Sequence, residues 1–391
     1  MTYDKNYFLS LKKQFEQELF ESVLPFWEKH SPDKKNGGYF NCLDRDGSVY
    51  DSTKHVWLQG RQVWMFSKLY REVQQRPEWL DLAASGMKFL RQHAITPQGR
   101  VHFTLTADGK ALYTQRKIFS ECFYTLALNE YAIASGQTDL QQEALQEFEK
   151  IWEFSQDASL VGRPSTPGDP GFKTLAIPMI MLNLMEELSG DNHSKFQTEV
   201  DTCLAQIKKH VIDQTVYENI SPDGGIVNTS AGRLLNPGHA IEAGWFLQHW
   251  AIRLKDDQLS ELATNIVRWS FDKGWDKKYG GIIHFLDGGG YNPVQLEWDM
   301  KLWWPHCEAL YAHLLNYFTH SDDADLQRFK QTYDYTFKHF PDKEHGEWFG
   351  YLNRSGEVTH RFKGGPYKGC FHVPRTLWLC HKLISEKVDD L

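Results

Sequence analysis

His239 and Glu242 stand three residues apart, directly after Asn236-Pro237-Gly238. Proline and glycine end whatever precedes them, and a helical apolar pattern follows, so this stretch predicts a helix start. Residues three apart share one face of a helix, which sets an imidazole beside a carboxylate. Unpaired N–H groups and the macrodipole favour negative charge at that end. The combination suits proton transfer on a group that becomes anionic as it reacts. A capped helix with a surface ion pair has the same local signature. Recurrence along the chain separates the two readings.

Five other stretches open an apolar helix in the same way. They are Trp57-Leu58-Gln59-Gly60-Arg61, Phe119-Ser120-Glu121, Ala176-Ile177-Pro178, Trp303-Trp304-Pro305-His306-Cys307-Glu308 and Phe371-His372-Val373-Pro374-Arg375. Five of the six starts carry ionisable groups. A purely structural ring would place apolar residues there, because unpaired buried charge is costly. If the six starts converge, His239, His372, Glu242, Glu308, Arg61 and Arg375 share one pocket, and such clusters mark functional sites. His306 and Glu308 are two apart and point to different sides of a helix, so at most one of them faces the pocket. Glu308 is the expected one, and His306 either caps the helix or touches a ligand. No His-Glu-x-x-His motif occurs and the histidines have no metal-site spacing, so no metal is expected.

The elements that must bring these residues together are of two alternating kinds. Charged amphipathic helices are predicted over residues 7–29, 79–93, 140–155, 194–210, 258–273 and 324–340. Helices richer in apolar and small residues are predicted over 57–72, 119–135, 175–189, 239–254, 304–318 and 372–386. The second kind recurs every 60–70 residues or so, the scale of a helix pair with its loop. Links from the apolar kind to the next charged helix are short. Links in the other direction are long and carry hairpin signals around Asp46-Gly47, Asp108-Gly109 and Ser355-Gly356. With antiparallel pairs, every long link then falls on one face. The expectation is an all-α fold: an (α/α)6 barrel with six inner and six outer helices and hairpin-bearing long loops on the active-site face, forming a single catalytic domain over residues 1–391.

Composition narrows the function. The 391 residues include 14 Trp, and aromatics make up 14%. That exceeds what a core needs and fits a cleft that stacks on rings. The net charge is −8, and no basic run of five or more appears, which argues against nucleic acid. No apolar run reaches the roughly 18 residues of a membrane span. The six cysteines form no Cys-x-x-Cys pair, and residues 1–5 lack the apolar core of a signal peptide. Free thiols and a cytoplasmic location are expected.

Four stretches carry a family resemblance. They are residues 55–62 (His-Val-Trp-Leu-Gln-Gly-Arg-Gln), 236–245 (Asn-Pro-Gly-His-Ala-Ile-Glu-Ala-Gly-Trp), 301–309 (Lys-Leu-Trp-Trp-Pro-His-Cys-Glu-Ala) and 363–375 (Lys-Gly-Gly-Pro-Tyr-Lys-Gly-Cys-Phe-His-Val-Pro-Arg). Essentially the whole chain resembles the N-acylglucosamine 2-epimerase family, also called renin-binding proteins. The resemblance implies an (α/α)6 barrel and interconversion of N-acetylglucosamine with N-acetylmannosamine in a family that is often dimeric. For that activity the helix starts make His239, His372, Glu242 and Glu308 the expected catalytic residues, and Arg61, Trp57, Lys301, Trp304, His306 and Arg375 the expected substrate contacts. The resemblance also implies stimulation by ATP that is not consumed. The Gly/Pro-rich loop 160–171, with Gly162, Arg163, Ser165 and Thr166, is the nucleotide candidate, although it lacks the Gly-Lys-Ser/Thr of a Walker A segment.

Epimerisation at C2 requires removing the proton α to an aldehyde and returning one to the other face. Two histidines suit the task, because an imidazole acts as base or acid near neutral pH. The alternatives are another sugar epimerase or aldose–ketose isomerase of the superfamily, a glycoside hydrolase using Glu242 and Glu308, and a non-catalytic binding module.

Overall fold

The computed structural model describes residues 5–164 and 166–390. Among these described residues twelve helices alternate as the periodicity predicts. The outer helices are α1 (Lys5–Gln17, continuing through a π-helical turn Glu18–Val23 into Leu24–His30), α3 (Pro77–His93), α5 (Thr138–Gln156), α7 (Gln197–Lys209), α9 (Asp257–Gly274) and α11 (Asp323–His339). The inner helices are α2 (Val56–Glu72), α4 (Phe119–Ser135), α6 (Ala176–Ser189), α8 (Pro237–Leu254), α10 (Trp303–His320) and α12 (His372–Lys387). Burial explains the division. Most residues of each inner helix are buried, whereas outer helices bury a single stripe, such as Leu140, Ala144, Phe148 and Ile151 on α5.

The inner helices pack in chain order, α2 against α4 and so on to α10 against α12. Trp64 of α2 closes the ring, lying edge-on to Phe371 and Trp378 at 5.4 and 6.4 Å between ring centroids. One apolar core runs through all twelve helices.

The long links form a stitched rim. Hairpins close at Gly47, Gly109 and Gly356, whose φ of +84°, +88° and +92° suit glycine. Neighbouring loops then pair with one another. Lys54–His55 pairs with Thr104–Leu105, Lys173–Thr174 with Asn219–Ile220, Leu234–Leu235 with Leu286–Asp287, and Lys301–Leu302 with Tyr351–Leu352. The last loop returns to the first through the Lys363 N–H donating to the Leu43 carbonyl at 2.9 Å.

A repeated device stakes three of these loops. An Asp follows the end of an outer helix, a Gly comes four residues later, and a buried Lys arrives further on. Lys54 pairs with Asp33 at 2.8 Å, Lys301 with Asp276 at 3.0 Å and Lys363 with Asp342 at 3.0 Å. The same ammonium groups donate to the carbonyls of Gly37, Gly280 and Gly346 at 2.6, 2.9 and 2.8 Å. Each lysine satisfies a turn that would otherwise bury bare carbonyls. The π-helical turn in α1 serves the sixth loop in a related way. Pro25 supplies no N–H, the helix widens before it, and the Ser22 carbonyl accepts from the Glu347 N–H at 3.3 Å.

Candidate active site

The inner-helix starts converge as their register predicts. They line a cavity of about 510 Å³ at the long-loop end, with Trp57 and Arg61 from α2, His239 and Glu242 from α8, Trp304 from α10, and His372 and Arg375 from α12. That volume suits a monosaccharide-sized ligand.

His239 is placed by its cap. The Asn236 side chain accepts from the His239 N–H at 3.2 Å, and Pro237 occupies the first turn. Gly238 is required by packing, since a Cβ there would come within 2.4 Å of the Trp304 ring. Trp304 thereby reaches both histidines, its ring centroid 5.3 Å from His239 and 5.9 Å from His372.

Each imidazole is held at Nδ1 by a carboxylate. His239 Nδ1 lies 3.0 Å from Glu218 Oε2, and His372 Nδ1 lies 2.6 Å from Glu308 Oε1. Fixing Nδ1–H on the carboxylate leaves Nε2 as the working nitrogen on the cavity side. The two rings are pushed in opposite directions. Burial lowers His239, but the carboxylates of Glu218 and then Glu242 together outweigh it and its net shift is upward. Burial, with Arg61 and Arg375 adding to it, holds His372 well below the usual imidazole value. Near neutral pH one ring is therefore poised as the acid and the other as the base, the separation that acid–base pairs use.

Glu308 is fully buried behind His372 rather than facing the cavity. Its second oxygen accepts from Trp245 Nε1 at 2.8 Å. Arg375 Nη2 donates to both Glu308 Oε1 and Glu242 Oε1 at 2.7 Å, joining the two acids across the floor. Oxygens of Glu242 and Glu308 and a nitrogen of His372 lie within 4.8 Å of one another, a spacing that would suit a cation. The Arg375 guanidinium stands between the two acids and supplies that charge itself. A hydrolytic pair needs two carboxylates facing the sugar, and this one is tied to a shared arginine.

Arg61 differs from Arg375. No carboxylate among the described residues touches it, and its Nε has no partner there. Its guanidinium lies over Trp57, Phe123 and Phe371 at 4.5, 4.2 and 4.7 Å from the ring centroids. Burial pulls it down to about 9, against the attraction of Glu242, so it remains charged at neutral pH. An unpaired guanidinium at the cavity wall is a ready partner for a developing oxyanion.

Two expected substrate contacts turn away from the cavity. Lys301 is fully buried and committed to Asp276 and the Gly280 and Gly281 carbonyls. It is one of the three loop stakes. His306 spends both ring nitrogens on backbone, Nδ1 on the Leu302 carbonyl at 2.6 Å and Nε2 on the Ile282 N–H at 2.9 Å. Burial pushes it down to about 3, so it is a neutral brace between α10 and its loop.

Of the nucleotide candidates, Ser165 lies outside the described residues. Gly162, Arg163 and Thr166 are exposed and do not line the cavity. The Gly162 and Arg163 N–H groups donate to the Ser159 and Ala158 carbonyls at 2.8 and 3.3 Å. Sequence reasoning missed Glu218 and His284. Glu218 sits in an irregular loop, where no helical register aims a side chain. It is pinned there by its own N–H and carbonyl, which bond Leu234 and Leu175. His284 lines the cavity with an unpartnered Nδ1, and burial pushes it down to about 3.

A sequence profile of the family described as N-acylglucosamine 2-epimerase (GlcNAc 2-epimerase) matches residues 38–373. The N-acylglucosamine 2-epimerase of Bos taurus is 45% identical over 97% of this chain and 92% of its own length. The human N-acylglucosamine 2-epimerase is 44% identical over 96% of this chain and 90% of its own. The solved structure of the cellobiose 2-epimerase from Bacillus thermoamylovorans superposes with a TM-score of 0.82 at 21% identity, covering 96% of this chain and 99% of that one, a likeness of fold. The alternating helix pairs, the cavity at their long-loop end and these matches agree: the chain belongs to the N-acylglucosamine 2-epimerase family.

Proposed function

We propose that this enzyme, a sugar 2-epimerase, interconverts N-acetylglucosamine and N-acetylmannosamine by proton transfer between two histidines. The observation that carries the reading is the pair of imidazoles on α8 and α12, each fixed by a carboxylate and shifted in opposite directions. In the open-chain sugar C1 is an aldehyde. His372 Nε2 takes the C2 proton and the C–H electrons form the C1–C2 double bond. The aldehyde oxygen gains the negative charge, which Arg61 is placed to stabilise. Protonated His239 returns a proton to C2 from the other face, and the aldehyde re-forms. The reverse reaction runs through the same species with the proton on the other ring. Glu308 positions His372 and Arg375 neutralises the floor, while Glu242 faces the cavity beside them.

Incubation with N-acetylmannosamine in deuterated water tests the reading. The wild type is expected to place label at C2 and form the second epimer. His239→Ala and His372→Ala should each fold and lose net epimerisation. Exchange retained for a single epimer would assign each histidine to a face. Near-normal turnover in both variants would sink the scheme, cleavage of a disaccharide without C2 label would favour a hydrolase, and no reaction at all would favour a binding module.

The family resemblance brings three further expectations. Activation by unconsumed ATP is measured by initial rates with and without nucleotide, using Arg163→Ala to test the 160–171 loop. A homodimer is measured by sedimentation. A cytoplasmic setting fits the six free buried cysteines, and no helix among the described residues is long and apolar enough to cross a membrane.

A further inference from the structure

The cavity wall is chemically lopsided. Charged or titratable groups come from α2, α8, α12 and the loop residues His284, Glu297 and His360, while α4 and α10 contribute aromatic rings. On α6 the lining residues are Ala176, Met179, Ile180 and Asn183. Their spacing of i, i+3, i+4 and i+7 is one continuous helix face. This face carries no ionisable group. It ends at the floor in Asn183, a buried amide that no other described residue engages.

The reacting geometry says what belongs against it. In the enolate, C1, C2, C3 and the C2 substituent lie in one plane. The two histidines act from opposite sides of that plane, so the substituent leaves between them. They stand on α8 and α12, the neighbours of α10. Trp304 of α10 contacts both rings and fills the space between them on its side. The substituent must therefore point away from α10, toward α4 and α6. The hydroxyl-rich C3–C6 tail gains nothing from an apolar wall. An acylamino group matches it, with a methyl to bury and an amide to hydrogen-bond.

We infer that the Ala176, Met179, Ile180 and Asn183 face of α6 is the acyl subsite that selects an acylamino group over a hydroxyl at C2. Met179 and Ile180 bound the acyl chain, and the Asn183 amide reads the substrate amide. This rests on the two-histidine reading above and names the part of its site that sets substrate class.

The test compares kcat/KM for N-acetyl-, N-propanoyl- and N-butanoylmannosamine, and C2 deuterium exchange into mannose, which has a hydroxyl at that position. Met179→Ala should shift preference toward the longer acyl chains by about tenfold, the value of one methylene in an apolar pocket. Met179→Leu conserves volume and should keep the wild-type order. Asn183→Leu should raise KM for N-acetylmannosamine about tenfold through loss of its hydrogen bonds, and leave mannose exchange within twofold. Circular dichroism and thermal midpoints establish that each variant is folded. If folded Met179→Ala and Asn183→Leu both keep the wild-type selectivity ratios, the subsite is refuted while the two-histidine reading stands. If the wild type shows no C2 exchange with any N-acylated sugar, both fall together.

Discussion

Replacing Glu218 by Gln removes one charge 3.0 Å from His239 Nδ1 and keeps the side-chain shape. The proposed reaction needs one proton shared between the two imidazoles, in either direction. Forward and reverse kcat/KM are tied by a pH-independent equilibrium constant, so both should follow one bell-shaped profile. The alkaline limb reports loss of that proton from His239, whose pKa burial lowers but Glu218, with Glu242 adding to it, lifts to a net upward shift. A hydrogen bond between charged partners is worth roughly 1.5–3 kcal/mol, and about 1.4 kcal/mol corresponds to one pKa unit. The His239 side chain is 30% exposed toward the cavity, so solvent screening argues for the lower end. Glu218→Gln should then move the alkaline limb down by about one pH unit. The acid limb, set by the second proton entering His372, should hardly move. The assay is the pH profile of kcat/KM for both epimers. An alkaline limb that stays put, or moves up, refutes the assignment of His239 as the acid held by Glu218. Stability offers an independent check of sign. A raised folded pKa contributes stability that is present below the unfolded value and fades as pH rises through the folded one. The variant's deficit in denaturant midpoint should therefore be larger near pH 6 than near pH 9.

Arg61→Met keeps bulk among Trp57, Phe123 and Phe371 but removes the unpaired guanidinium. A loss of about 10²–10³ in kcat is expected, as for removal of an oxyanion donor, and C2 deuterium exchange should fall in parallel. If exchange persists while epimerisation stops, Arg61 acts after enolate formation instead. Lys301→Met should leave KM within twofold, since the ammonium does not reach the cavity. It should cost about 2–3 kcal/mol in a denaturant titration, because the carbonyls of Gly280 and Gly281 lose a charged donor. Asp276 keeps Arg354 at 2.9 Å, which limits the damage. A large KM effect with unchanged stability would restore Lys301 as a substrate contact.

Much of the architecture was legible in the chain. The inner-helix start at Phe119 and its end at Ser135 follow from the apolar period and from Gly136 just beyond, whose φ is +72°. The opposition of His306 and Glu308 also followed from their spacing. Each prediction rests on helical register, a local property fixed by covalent geometry a few residues at a time. Adjacency in sequence misled at Lys301, which borders Trp303 and Trp304 but serves another loop's turn. It also misled at His306, whose nitrogens are consumed by backbone that only the folded loop delivers. Glu218 gave no signal, since an irregular loop aims its side chain only after pairing with its neighbours. The repeated Asp-x-x-x-Gly followed by Lys was present in the chain but had no evident purpose until three buried ammonium groups were seen on three turns. Sequence alone determined which residues would form helices, which face of each helix would be buried, and that His239, Glu242, His372 and Arg61 could meet. Only the tertiary structure decided that Glu218 and Glu308 hold the two imidazoles, that Arg375 joins the acids, and that Arg61 is left unpaired. Helical register is set by bonds along the chain. A charge's partner is set by ring closure, which brings together residues such as Glu308 and His372, 64 positions apart.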